Sequence, residues 1–193
     1  AVLEATDYGI AQTRNRHFLV ASKIKDPSTE VALSSFKTFP LTFDDINCNL
    51  DDDNNFPDIL EKNGRLSKEN QARIKYLHSK NVWNLPNTER PECHRNGHTY
   101  PSVYGRIYGN KPLGTITSGF GSPGRGRFVH PHEPRVINVR EAARAQALPD
   151  WYWSPVEELR IKKNRLHKII ADAVPPLMLV PLMAALYPSL ERC

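Results

Sequence analysis

The side chains with reactive chemistry to offer are three cysteines and a scattered set of histidines. A cysteine is a nucleophile only as the thiolate, which needs an electropositive setting. Cys48 sits in Asn-Cys-Asn beside the acidic run Asp44, Asp45, Asp51, Asp52, Asp53 and Asp58, which works against the thiolate. Cys93 follows Glu92, and Cys193 is the last residue. None of the three reads as a catalytic nucleophile. Cys93, His94, His98, His130 and His132 are irregularly spaced and include no Cys-x-x-Cys pair, so no metal site is expected.

The remaining chemistry is that of charge. From Arg90 to Arg144 the balance turns positive through Arg95, Arg106, Lys111, Arg125, Arg127, Arg135 and Arg140. A net charge of +5 permits a polyanionic partner, which would sit on this basic segment rather than on the acidic one. Gly119, Gly121, Gly124 and Gly126 lie within the same stretch. Glycine serves where the backbone turns sharply or closely approaches a ligand, and an ordinary flexible loop is the competing reading.

These residues need elements to hold them. With 193 residues, 39% of them hydrophobic, the chain suffices for one domain, or a small domain plus part of another. His17 to Ser22 is an apolar run of strand length, suited to a strand buried on both faces. Residues 24 to 65 read as irregular, with short strands around Phe36 to Phe43. Ser67 caps a helix from Lys68 to Lys80 that offers Ala72, Ile74 and Leu77 for burial. Strand candidates follow at Val103 to Tyr108 and Thr115 to Thr117.

The last third is helical. Asn138 and Glu141 have capping-box spacing and open a helix that stops at Pro149. Ser154-Pro155-Val156-Glu157 signals another start, with Val156, Leu159, Leu166 and Ile170 along one stripe interrupted by Lys163. Trp151, Tyr152 and Trp153 at this junction read as core. Pro175-Pro176 opens an apolar helix to about Tyr187, kinked at Pro181. The apolar run Ala173 to Leu186 is too short to cross a bilayer. Scattered cysteines and no visible leader point to a reduced intracellular protein, and the initial Ala leaves room for processing or for a longer parent chain.

Three segments, in order, carry a family resemblance. Tyr8-Gly9-Ile10-Ala11-Gln12-Thr13-Arg14-Asn15-Arg16 resembles motif VIII of the DNA cytosine-5 methyltransferases, the Gln-x-Arg-x-Arg signature. Arg135-Val136-Ile137-Asn138-Val139-Arg140-Glu141-Ala142-Ala143-Arg144, closing at Leu148-Pro149, is similar to motif IX. Ala171-Asp172-Ala173-Val174-Pro175-Pro176 resembles motif X, usually Gly-Asn-Ala-Val-Pro-Pro. The interval between motifs VIII and IX suits that family's target-recognition domain, with Thr115-Ile116-Thr117 near its Thr-x-Thr position.

The resemblance implies an α/β fold: a partial Rossmann-like methyltransferase sheet with C-terminal helices, plus an irregular, mostly β target-recognition domain. Residues 1–24 would end the catalytic domain, 25–134 would form the recognition domain, and 135–193 would return to the catalytic domain. Arg16 and Arg14 would serve in catalysis at the cytosine, with Gln12 ordering their loop. Asp172, Ala173 and Val174 would touch S-adenosylmethionine, which the missing part would largely bind. Asp172 replaces the usual Asn, and Ala171 would be strained if its position demands a positive φ. Thr115, Thr117, Ser118, Arg125 and Arg127 would contact DNA, where an arginine bidentate to guanine gives about 1–3 kcal/mol of discrimination. Arg140, Glu141 and Arg144 would tie the two domains together.

The family's Pro-Cys, Glu-Asn-Val and Phe-x-Gly-x-Gly segments do not occur in this sequence. The implied function is therefore the target-recognition and C-terminal part of a DNA cytosine-5 methyltransferase, inactive alone. It would act on double-stranded DNA with a catalytic polypeptide that carries those segments, in a restriction-modification setting. Its place would be the bacterial cytoplasm, at the nucleoid. A catalytically inactive DNA-binding or regulatory relic is the alternative.

Overall fold

The computed structural model describes residues 1–21, 23, 29–48, 56–95, 100, 102–156 and 158–190. Ser22, Asp51, Asp52, Asp53, His98, Glu157 and Cys193 lie outside them. The chain opens with β1 (Val2–Glu4), a 3-10 turn over Ala5–Tyr8 and β2 (Asn15–His17). β1 and β2 pair antiparallel, Leu3 opposite Arg16. Gly9 ends the turn at φ +69°, a left-handed conformation that glycine adopts without a Cβ penalty.

This hairpin differs from the strand expected over residues 17–22. The strand stops at His17, and Leu19 is 95% exposed. A strand buried on both faces needs packing above and below, whereas this one has a single partner strand and a solvated flank. No doubly wound sheet occurs among the described residues; their sheet has two strands.

The interval expected to be mostly β is mainly helical and irregular instead. It holds α1 (Thr29–Ser35), α2 (Phe43–Asn47), α3 (Asp58–Glu61) and α4 (Lys68–Ser79). Its β pairing among the described residues reduces to isolated bridges such as Arg106–Val129 and Val129–Val136. Frequent Pro and Gly prevent longer ladders here, because one lacks a donor and the other weakens a strand. Around 36–43 the chain forms no strand: Phe39 is 88% exposed, and a Thr42–Asp45 capping box starts α2. α4 begins where Ser67 accepts the Asn70 N–H, and buries Ile74 and Leu77 while Ala72 stays exposed.

α5 (Val139–Ala145) is the central element. Asn138 and Glu141 form the expected capping box, each side chain bonded to the other's backbone N–H. Buried Ala142, Ala143 and Ala145 are small enough to let α2, α3 and α6 (Lys163–Asp172) pack close around it. The main core joins Phe43, Leu60, Ile107, Phe120 and Phe128 to Ile137, Leu166 and Ile170, so it spans the 134/135 division. A second cluster gathers Ile74, Leu77 and Leu85 with Val103, Val129 and Val136. A third joins Leu3, Tyr8 and Ile10 to Met178 and Leu182.

The C-terminal helices start later than expected. A 3-10 turn covers Asp150–Val156, Arg160 has φ +49°, and α6 begins only at Lys163. Leu159 is consequently 64% exposed, off the stripe that Leu166 and Ile170 bury. Trp153 is buried, but Trp151 and Tyr152 are exposed, which corrects their reading as core. Pro176–Met178 forms a further 3-10 turn before α7 (Val180–Leu190). The 50° bend lies ahead of α7, and Pro181 sits in its first turn, where proline costs no intrahelical hydrogen bond. Among the described residues no single helix is long and apolar enough to cross a membrane.

Candidate functional site

Residues 11–14 form the hinge of the site. Leu113 N donates to Ala11 O at 2.9 Å and Thr13 N to Leu113 O at 2.8 Å, the parallel bridge between Gln12 and Leu113. Thr115 Oγ1 adds a bond to Thr13 O at 2.8 Å. Gln12, fully buried, accepts the Ile116 N–H at 2.8 Å and donates its amide to Ala145 O at 3.3 Å. One side chain thus fixes the 113–116 segment to the C-terminal end of α5.

Arg14 is buried too. It donates to Ile116 O at 3.4 Å and to Ala171 O at 2.8 Å, while Nε has no partner. Ala171 is in the last turn of α6, whose final carbonyls lack intrahelical donors. Gln146, also fully buried, donates to the neighbouring Ile170 O at 2.9 Å. A cation at a helix C-terminus also meets the negative end of the helix dipole. Arg16, by contrast, is only half-buried in β2 and donates to Asn15 O at 2.8 Å. Of the two guanidinium groups, Arg14 is buried and Arg16 is the one that solvent or a ligand can reach, while the Gln12 amide is buried.

The C-terminal end of α6 also settles a backbone question. Ala171 is an ordinary helical residue and is not among the positive-φ positions, so the strain expected there is absent. Asp172 and Val174 are exposed, and Ala173 is half-buried. The 113–116 segment meets α6 through Arg14, which bonds both Ile116 O and Ala171 O.

A buried charge network surrounds α5. Arg140, 2% exposed, pairs with Glu61 at 2.9 Å and Asp150 at 3.0 Å, and its guanidinium lies 3.8 Å from the Phe56 ring centroid. Arg144 also pairs with Asp150 and donates to Ile46 O at 3.0 Å. Arg135 pairs with Glu133 and with the fully buried Glu141. Burial alone would raise Glu141, but hydrogen bonds from Arg135 and His130 outweigh it and hold the carboxyl at about 2. His130 Nδ1 accepts N–H bonds from His132 and Glu133, which leaves Nε2 facing Glu141 at 3.3 Å. His130, Glu133 and Glu141 are close enough to share a cation, and the Arg135 guanidinium already fills that role.

The expected DNA-contact residues separate into two sets. Thr115, Thr117, Ser118 and Arg125 are exposed around buried Ile116 and Phe120. Arg127 is committed inward: it donates to Trp83 O at 3.0 Å, to Arg106 O at 2.8 Å and to the Asn84 side chain. It also lies 4.8 Å from the Tyr108 ring centroid, and burial lowers its pKa. Arg106 stacks similarly on Trp83 at 4.4 Å. Cys48 and Cys93 are exposed, Cys48 donating to Asp45 O and Cys93 lying 3.0 Å from His94 Nδ1.

Sequence reasoning missed Gln146, Glu61 and Asp150. Gln146 had a signal, a polar residue closing an Ala-rich helix. Glu61 had none, since its partner Arg140 is 79 residues away.

Comparison with known proteins follows the same residues. The family model described as C-5 cytosine-specific DNA methylase matches residues 1–187. Type II methyltransferase M1.BsuMI of Bacillus subtilis (strain 168) is 40% identical over 179 residues, covering 90% of this chain and 40% of that protein. Type II methylase M.HgiDII of Herpetosiphon aurantiacus is 32% identical over 182 residues, covering 91% of this chain and 51% of that protein. The chain thus spans about half, or less, of the length of these relatives. A crystal structure of a prophage-encoded E. coli protein, assigned as a DNA modification methyltransferase, superposes with a TM-score of 0.53. At 22% identity it covers 99% of this chain and 60% of that one, which shows a shared fold.

Proposed function

Given that the chain belongs to the C-5 cytosine-specific DNA methylase family, we propose that it is the target-recognition and C-terminal part of a DNA cytosine-5 methyltransferase. The observation that carries this reading is the double attachment of Gln12, to Ile116 and to Ala145. It makes the loop suited to reading DNA and the arginine suited to meeting the base parts of one rigid body. The domain division at 24/25 and 134/135 is then a division of labour within a shared core.

In this reading the exposed Thr115, Thr117, Ser118 and Arg125 face double-stranded DNA, with Arg127 bracing the loop from behind. A cytosine must leave the duplex to react, at roughly a few kcal/mol that protein contacts offset. Arg16 holds the extruded base at its O2 or the adjoining backbone, a task suited to a permanently charged, orientable fork of donors. Arg14 and Gln12 position it. S-adenosylmethionine supplies the methyl group when bound. The exposed Asp172 carboxylate suits its ammonium rather than its carboxylate, and Ala173 and Val174 present backbone beside it, so these residues fit one edge of the cofactor.

A partner polypeptide carrying the Pro-Cys and Phe-x-Gly-x-Gly segments completes the site. Val174, Leu177, Leu179, Val180 and Met183 are 39 to 61% exposed, an apolar surface that such a part would cover. The setting this implies is the bacterial cytoplasm, at the nucleoid, within a restriction-modification system.

The test is to mix the chain with that portion of the B. subtilis relative which it does not match, and to measure methyl transfer to duplex DNA. The expected result is activity only in the mixture. Methylation by the chain alone would sink the proposal. DNA binding without activity in any mixture would favour the inactive relic.

A further inference from the structure

A cleft of about 280 Å³ opens between the glycine-rich loop and α6. The loop contributes Ser118, Ser122 and Arg125, and the first turns of α6 contribute Lys163, Asn164 and His167. No Asp or Glu is among the described residues that line it. His167 is held in place by Phe120, whose ring centroid lies 4.2 Å away and whose side chain is fully buried. A Cβ at Gly121 would lie 2.4 Å from His167 Cε1, and one at Gly119 would lie 2.6 Å from Arg125 Cγ. The two glycines therefore let the loop backbone run directly beneath the basic side chains.

This arrangement collects positive charge in a concave, partly dehydrated place and offers no carboxylate to balance it. Burial lowers the His167 pKa from its ordinary 6.5, and the adjacent Lys163 charge lowers it further. Burial lowers Lys163 as well. Elsewhere buried Arg140 is matched with Glu61 and Asp150, and buried Arg14 with the carbonyls of Ile116 and Ala171. A cleft that leaves like charges unmatched is stabilised by a bound anion. Hydroxyl, amide and cationic donors together suit the several acceptor oxygens of a phosphate.

We propose that this cleft is a phosphate seat for the DNA backbone, with Arg125 and Lys163 as its cationic donors and the His167 ring as a further N–H donor. The inference rests on the DNA-recognition reading above and adds α6 to the surface that reads the duplex. It separates two tasks on neighbouring residues: Thr115 and Thr117 approach the bases, while the cleft fixes the register of the loop on the backbone. A backbone contact carries no sequence information, so losing it weakens all duplexes alike.

The test measures duplex binding by fluorescence anisotropy across a salt series, for the wild-type chain, Lys163→Gln and Lys75→Gln. Lys75 is an exposed residue of α4 outside the cleft and controls for net charge. The expected result is a salt dependence of log K shallower by roughly 0.9 in Lys163→Gln, similar for target and non-target duplexes, and unchanged in Lys75→Gln. The His167 ring signals, followed by NMR in the wild type, should titrate at a higher pH when duplex is bound. Equal salt slopes in the two variants, with wild-type binding intact, overturn the phosphate seat and leave the DNA-recognition reading standing. A wild-type chain that binds no duplex overturns both. A His167 response to inorganic phosphate but not to duplex overturns DNA as the source of the phosphate.

Discussion

The guanidinium of Arg14 donates to the carbonyl of Ala171 at 2.8 Å, across 157 residues of sequence. The bond joins the turn before β2 to the last turn of α6, and the same guanidinium reaches Ile116 O at 3.4 Å. Three segments that are remote in the chain are thereby locked around one buried side chain. Its charge is stabilised by the carbonyls of a helix C-terminus rather than by an acid.

Arg14→Met should accordingly destabilise the fold. Two buried carbonyls would lose their donor, and charge-assisted bonds of this kind are worth about 1.5–3 kcal/mol each. The expected loss in urea unfolding is about 3 kcal/mol, and Arg14→Lys should recover part of it. A loss below about 0.5 kcal/mol would mean that the arginine has no structural role.

Arg16→Ala should behave in the opposite way. The side chain is half-buried and bonds to its neighbour's carbonyl, so stability should change by no more than about 0.5 kcal/mol. Methyl transfer by the reconstituted enzyme should fall about 100-fold or more. Retained activity would remove Arg16 from the reaction.

The Glu141 carboxyl gives the fold an acid limit. Its folded pKa of about 2 lies below its ordinary 4.5, so the unfolded chain takes up the proton first. The stability it contributes is complete above pH 4.5 and is lost as pH falls toward 2, on the order of 3 kcal/mol in all. Glu133 is lowered chiefly by the Arg135 hydrogen bond and adds in the same direction. Urea midpoints between pH 7 and pH 3 should fall steeply for the wild type. Glu141→Gln should start lower, because Arg135 loses a buried partner, and should vary less with pH. Parallel pH profiles would contradict this.

Neighbouring loop positions should separate stability from recognition. Arg127→Ala removes a half-buried side chain bonded to Trp83, Arg106 and Asn84, and should cost about 2 kcal/mol of stability. Thr117→Val alters an exposed position, so unfolding should be unchanged. Its effect should instead appear as a shift of about 1–3 kcal/mol in relative affinity among duplexes with single base changes. A Thr117 variant that binds every duplex like the wild type would place the base contacts elsewhere.

The sequence determined the local elements whose signals are short-range. Ser67 before α4 and the Asn138–Glu141 box before α5 are readable because a cap and its helix lie within four residues of each other. The family resemblance was likewise legible in the linear chain, and the family model matches residues 1–187. What a side chain faces was not legible in the same way. Arg14 and Arg16 are two residues apart and chemically identical, yet one is buried against α6 and the other is half-exposed in β2. Pro155 and Glu157 suggested a helix start, but Arg160 turns the backbone and delays α6 to Lys163. Long-range packing set these outcomes. Burial and hydrogen-bond partners depend on segments that meet from far along the chain, as Gln12 meets Ile116 and Arg140 meets Glu61, and no local spacing encodes which of them will meet.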